Sequence, residues 1–219
     1  AEEHAGEEHE RLREDDRHHT AVIDTKREVL LAAAIHAASA GVLGLLDWNA
    51  PLRLSVHNQD IVYFGANRLF RSMDKGETWT AISADLSSSR ERGDVPYATI
   101  TTFSESPLAF GTLWVGTDDG NVWFSDDGGS RWRQVDAQLP AGRWVSRVEA
   151  SRVDRARAYV ALNGYRNDDT TAYLYVTDDA GAHWRSISAG LPAEPINVVR
   201  EDPENGELLY VGTDRGVYA

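Results

Sequence analysis

The sequence predicts an all-β protein: a partial β-propeller of three complete four-stranded blades and most of a fourth, preceded by a helical or disordered N-terminal segment. Three observations carry this. A tryptophan-ended corner recurs three times at near-constant spacing. Each corner sits in the same order of short strands. All aromatic residues lie at or after Trp48, whereas five of the seven histidines (His4, His9, His18, His19, His36) lie before it, so the chain changes character near 46–48.

Residues 1–47 form the first predicted region. Residues 1–28 are dense in charge with no recurring apolar stripe, which fits a solvated helix or disorder. Val29–Leu46 is alanine-rich and apolar. A helix packed on something else, a membrane span, a signal peptide with Lys26 and Arg27 as its charged flank, and a segment foreign to the following domain all remain open. A membrane span is disfavoured, because alanine and glycine give the run little hydrophobicity. The histidines do not align on one face, so no metal site is expected there.

Residues 48–219 form the second region and repeat internally. The corners are Ser72-Met73-Asp74-Lys75-Gly76-Glu77-Thr78-Trp79, Ser125-Asp126-Asp127-Gly128-Gly129-Ser130-Arg131-Trp132 and Thr177-Asp178-Asp179-Ala180-Gly181-Ala182-His183-Trp184. Their starts are 53 and 52 residues apart. The strands expected around them are 51–57, 61–65, 68–72 and 79–83, then 98–104, 112–117, 121–125 and 132–136, then 145–151, 158–163, 172–177 and 184–188. A fourth unit starts at Pro195 and reaches its third strand by Ala219. Four-stranded units at this period are propeller blades.

The corner's composition explains its role. Aspartate accepts hydrogen bonds from its own turn, and the hydroxyl at the first position closes the turn from the other side. Glycine allows positive φ, and tryptophan buries its ring between sheets. The structural set is therefore Ser72, Asp74, Gly76, Trp79, Ser125, Asp127, Gly129, Trp132, Thr177, Asp179, Gly181 and Trp184.

These corners resemble Asp boxes, the bacterial neuraminidase repeat. Arg131 and His183 replace the usual threonine, and Ala180 stands where glycine is common. The flanks Trp48–Leu52, Tyr63–Ser72, Trp79–Leu86, Val198–Pro203 and Leu209–Thr213 resemble the bacterial sortilin-like family, often labelled glycosyl hydrolases of the repeat class. The resemblance covers residues 48–219 and none of residues 1–46. It implies corners on the outer rim and a secreted or cell-envelope location. Propellers usually close with about 4–8 blades, and three complete blades with most of a fourth are read here, so a fragment of a larger propeller is expected, whose remaining blades would be partners.

Composition narrows the chemistry. The net charge of −13 argues against nucleic-acid binding, and the absence of cysteine excludes disulfides, thiolate metal sites and cysteine nucleophiles. No catalytic residue, cofactor or metal is expected. The Asp118-Asp119-Gly120-Asn121 loop lacks calcium-loop spacing. The arginines show no triad by spacing. Arg143-Trp144 and Tyr165-Arg166 are candidate ligand-binding pairs, the second on a long hairpin within the third blade. The function expected is a non-catalytic scaffold or binding segment for peptide, protein or glycan. The alternative is part of a sialidase- or xyloglucanase-like glycoside hydrolase shaping a carbohydrate cleft, which requires facing carboxylates such as Asp168 and Asp169.

Overall fold

The computed structural model describes residues 50–88 and 97–219. The expectations for residues 1–47, including the helix, the membrane span, the signal peptide and the histidines, lie outside these residues. So do Trp48 and residues 89–96 of the first blade connection.

The described strands form four antiparallel meanders. The first is β1 (Leu52–Leu54), β2 (Val62–Gly65), β3 (Leu69–Ser72) and β4 (Thr80–Ala81). The second is β5 (Ile100–Glu105), β6 (Leu113–Thr117), β7 (Val122–Ser125) and β8 (Arg133–Gln134). The third is β9 (Trp144–Ala150), β10 (Ala158–Asn163), β11 (Tyr173–Thr177) and β12 (Arg185–Ser186). The fourth has three strands, β13 (Ile196–Glu201), β14 (Leu209–Thr213) and β15 (Val217–Tyr218). This is the partial propeller that the repeat predicts.

Strand composition follows position. The second strands β2, β6 and β10 are buried along their whole length, and β6 and β10 lie between two neighbouring sheets. Their sequences are accordingly near-continuous apolar runs rather than alternating ones. The fourth strands were expected to span five residues, and they span two exposed ones. One further bond follows each, from Ile82 N–H to Leu69 O, Val135 N–H to Val122 O and Ile187 N–H to Leu174 O, and the chain then leaves the sheet. Short outer strands leave little open edge for unwanted pairing.

The corners join β3 to β4, β7 to β8 and β11 to β12. In the first, Ser72 Oγ donates to Asp74 Oδ1 (2.7 Å) and accepts from Gly76 N–H (2.8 Å). Asp74 also accepts from the Thr78 backbone N–H (2.9 Å) and hydroxyl (2.6 Å). In the other two, Arg131 and His183 put their side-chain nitrogens on Asp127 and Asp179 at 2.9 and 2.7 Å, so a nitrogen replaces the threonine hydroxyl. Both residues at the tip adopt positive φ, including the non-glycine Lys75 (60°) and Ala180 (56°). The second of the pair must also be small. A Cβ on Gly129 would sit 2.7 Å from Ile82 O, and one on Gly181 2.6 Å from Val135 Cβ, both in the preceding blade.

Blades are joined through their first strands and through the corner tryptophans. Thr101 Oγ1 donates to Val145 O (2.9 Å), Ser146 Oγ to Ile196 O (2.6 Å), and Val148 N–H to Thr102 Oγ1 (3.1 Å). Trp132 Nε1–H donates to Ile82 O (2.8 Å) and Trp184 Nε1–H to Val135 O (2.6 Å), each reaching the blade before its own. The equivalent Trp79 Nε1 is buried without a hydrogen-bond partner among the described residues.

A buried glutamate staples two of the three junctions. Glu105, ending β5, accepts from Ser55 Oγ (2.6 Å), Val56 N–H (3.1 Å) and Tyr63 OH (2.9 Å) of the first blade. Glu201, ending β13, accepts from Ser151 Oγ (2.8 Å), the Arg152 N–H and Tyr159 OH (3.1 Å) of the third. Burial first, and then the glutamate charge, push the Tyr159 phenol up to about 12 and raise Tyr63 in the same way. At the middle junction Ala150 takes the glutamate position and Trp114 the tyrosine position. Trp114 packs on Phe124 and Trp184, with ring centroids 4.6 and 6.2 Å away. On the fourth blade the equivalent Tyr210 is 40% exposed and bonds to Asp202 of its own blade (3.1 Å).

Glu105→Ala and Glu201→Ala should each lower stability by about 2–4 kcal/mol in urea unfolding, because each leaves buried donors without an acceptor. The corners make a separate prediction. Hydrogen bonds from Thr78 and Ser72 hold Asp74 at about 2, those from Arg131 and Ser125 hold Asp127 at about 2, and those from His183 and Thr177 hold Asp179 at about 2. The unfolded carboxyl titrates near ~3.9. Their stabilisation is therefore complete above that value and is lost as pH falls from about 4 through about 2. The urea midpoint should drop across that window. The triple variant Asp74→Asn/Asp127→Asn/Asp179→Asn should lose most of the drop.

Candidate functional site

The first strands of all four sheets line the concave inner side of the arc. A cleft of about 660 Å³ lies there, walled by Pro51, Arg53, Thr102, Trp144, Arg147 and Asn197 among others. A smaller adjoining hollow is lined by Arg53, Glu105, Glu149, Arg152 and Arg200.

Strand register explains the lining. Arg53 stands opposite Tyr63, Glu149 opposite Tyr159 and Arg200 opposite Tyr210, so the three occupy one equivalent position in blades one, three and four. Arg147 lies two residues before Glu149, on the same face of β9. Arg200 Nη1 donates to both Glu149 oxygens, at 2.9 and 2.6 Å. Arg147 Nε is buried without a hydrogen-bond partner.

Three guanidiniums thus lie near one carboxylate that only Arg200 bonds, in half-buried surroundings, within a chain of net charge −13. Burial lowers the Arg147 guanidinium to about 10, helped by the nearby charges of Arg53 and Arg200, while Glu149 opposes the shift. Burial and then Arg200 lower Arg53 as well. The polar side chains at the other end of the cleft are already engaged, Thr101 and Ser146 with carbonyls and Asn197 with Asp214 and Asn163. What remains is a surplus of cationic donors. Such a surface suits a ligand that brings acceptors and negative charge.

Two of the four sequence-proposed ligand residues, Trp144 and Arg166, come together. The Arg166 guanidinium lies 5.1 Å from the Trp144 ring centroid and 3.5 Å from Asp118 Oδ2. Arg143 pairs with Asp169 Oδ2 at 3.0 Å. Tyr165, on a 3-10 turn (Tyr165–Asn167), is 71% exposed. Of the four, only Trp144 lines the cleft. The twelve corner residues lie at the β3–β4, β7–β8 and β11–β12 connections, and none lines this cleft. Sequence reasoning assigned no site to Arg147, Arg53, Arg200 or Glu149. The available signal was a charged residue inside an otherwise apolar first strand. Among the described residues no group of acidic and histidine side chains could hold a metal ion.

Searches against known proteins bear on this architecture. Among solved structures, an ancestral GH74 enzyme is similar over 78% of this chain and 22% of its own, at 16% identity and a TM-score of 0.60. The GH74 xyloglucanase of Xanthomonas campestris is similar over 75% of this chain and 26% of its own, at 20% identity and a TM-score of 0.56. YCF48 of Cyanidioschyzon merolae is similar over 80% of this chain and 55% of its own, at 17% identity and a TM-score of 0.51. The chain therefore spans about a quarter of the length of the GH74 structures, and at these identities the likeness shows the propeller fold alone. No curated protein matches. The family model described as "Sortilin, neurotensin receptor 3" matches residues 67–205, well over half of the sequence, and the chain belongs to the Sortilin-Vps10 family.

Proposed function

We propose that residues 48–219 are a non-catalytic binding segment of an Asp-box propeller, and that its inner face takes a carboxylate-bearing ligand, an acidic stretch of peptide or protein. The observation that carries this is the arginine cluster, Arg53, Arg147 and Arg200 around the single Glu149. Half-buried like charges destabilise a fold unless something neutralises them, and an anionic ligand would do so. The matched family is described as a receptor, which is a binding role. A secreted or cell-envelope location goes with that reading.

Further blades of a longer protein would complete the ring at both ends. Trp79 Nε1 lacks the preceding-blade carbonyl that Trp132 and Trp184 have. Tyr210 is 40% exposed where Tyr63, Trp114 and Tyr159 are buried under the next blade.

The glycoside hydrolase alternative has less support. Asp169 accepts from Thr171 N–H, Tyr173 OH and Arg143, which hold its carboxyl well below the usual range. A general acid needs the opposite shift.

Peptides rich in glutamate should bind in a salt-dependent way, and their glutamine counterparts should not. Arg53→Gln/Arg147→Gln should weaken binding by about tenfold or more, since each charged hydrogen bond contributes roughly 1.5–3 kcal/mol. Equal binding of the two peptide sets by isothermal calorimetry would sink the proposal. Without ligand, Arg147→Met should raise the urea midpoint, by about 1 kcal/mol in stability, because it removes a buried charge that has no direct partner. A lower midpoint would mean that Arg147 serves the fold rather than a ligand.

A further inference from the structure

The arginine cluster contains its own carboxylate, and the placement of that carboxylate restricts what else can enter. Both Glu149 oxygens are held by Arg200 Nη1, and the Glu149 side chain is only 8% exposed. The charge of Arg200 is therefore matched by Glu149 through Nη1. Those of Arg53 and Arg147 are not: among the described residues neither guanidinium has a hydrogen bond or ion pair, and both lie against the cleft. The other carboxylate of the adjoining hollow, Glu105, is engaged by Ser55, Val56 and Tyr63 and does not reach for them.

Two free guanidiniums match one carboxylate, whose two oxygens can each take a donor. A phosphate group carries more charge and more oxygens. Seated on the same two arginines, it would bring surplus negative charge toward Glu149, which cannot swing away without abandoning Arg200. Like charges facing each other across a site are a recognised means of rejecting the wrong ligand.

We propose that Glu149, in the hollow that adjoins the inner cleft and shares Arg53 with it, is the specificity-determining residue of this face: paired with Arg200, it admits a singly charged carboxylate to Arg53 and Arg147 and turns away phosphate. This rests on the anion-binding reading given above.

The test follows the arginine Nε–H signals of the full chain by two-dimensional NMR during titration with acetate and, separately, inorganic phosphate at matched ionic strength. In the wild type, acetate should shift the Arg53 and Arg147 signals at lower concentration than phosphate. In Glu149→Gln, phosphate should gain about tenfold or more relative to acetate, while Glu149→Asp should keep the wild-type order. If Glu149→Gln does not fold, Glu149→Gln/Arg200→Gln removes both charges together, and the shift toward phosphate should persist. If the wild type binds both ions and the Gln variants leave their ratio unchanged, the selectivity role of Glu149 is overturned while anion binding stands. If the wild type binds neither ion, the anion-binding reading itself fails, and the inference falls with it.

Discussion

The bond from a corner tryptophan to a carbonyl of the preceding blade is the contact on which the rest of the structure depends. A blade with a wholly buried second strand cannot stand alone, because both its faces are apolar. It needs a neighbour at a fixed distance and rotation. Trp132 and Trp184 supply that by placing Nε1–H on Ile82 O and Val135 O. The glycine three residues earlier sets how closely the blades approach, since Gly129 and Gly181 pack directly on those same residues. The aspartate does not touch the neighbour. It fixes the turn that aims the tryptophan.

Once the blades are fixed in this way, their first strands line one concave wall. Residues of those strands then line one cleft together with residues of other blades, whatever their separation in sequence. Arg53, Arg147 and Arg200 come together by this route, although nearly 150 residues separate the first from the last. Their mutual repulsion opposes folding, and the corner and glutamate staples must offset it. A cationic hollow in a strongly acidic chain also directs anions toward the inner face and away from the rest of the surface.

What could be read from the sequence was whatever is local. Each corner encodes its own turn within eight residues, and its recurrence gives the blade count and the strand order. The length of the fourth strands was not legible, because Ser83, Ser188 and similar residues can continue a strand or leave it with equal local preference. The arginine cluster was not legible either, since it depends on register between blades rather than on spacing along the chain. Choosing Arg143, Trp144, Tyr165 and Arg166 because an aromatic and an arginine are adjacent found one wall of the cleft, Trp144. It missed that Arg143 is committed to Asp169. The 96-residue offset that relates Ser55, Tyr63 and Glu105 to Ser151, Tyr159 and Glu201 was visible in principle. Only the hydrogen bonds give it meaning.

That offset also explains why the middle junction differs. β5 ends Ser104-Glu105 and β13 ends Arg200-Glu201, so each sends its last carboxylate into a junction. β9 ends Glu149-Ala150. The carboxylate is one residue earlier, and in a strand one residue reverses the face to which a side chain points. Glu149 therefore meets Arg200 at the inner wall instead of a tyrosine between blades. The junction that lost its staple is filled by Trp114, whose ring replaces tyrosine and glutamate with apolar packing and leaves its own Nε1 unpaired. A single displaced glutamate thus exchanges a structural hydrogen-bond network for a charge in the hollow beside the cleft. The blade that carries this exchange, the third, also carries Arg147 and Trp144, so β9 brings both a cation and an aromatic ring to the wall of the cleft.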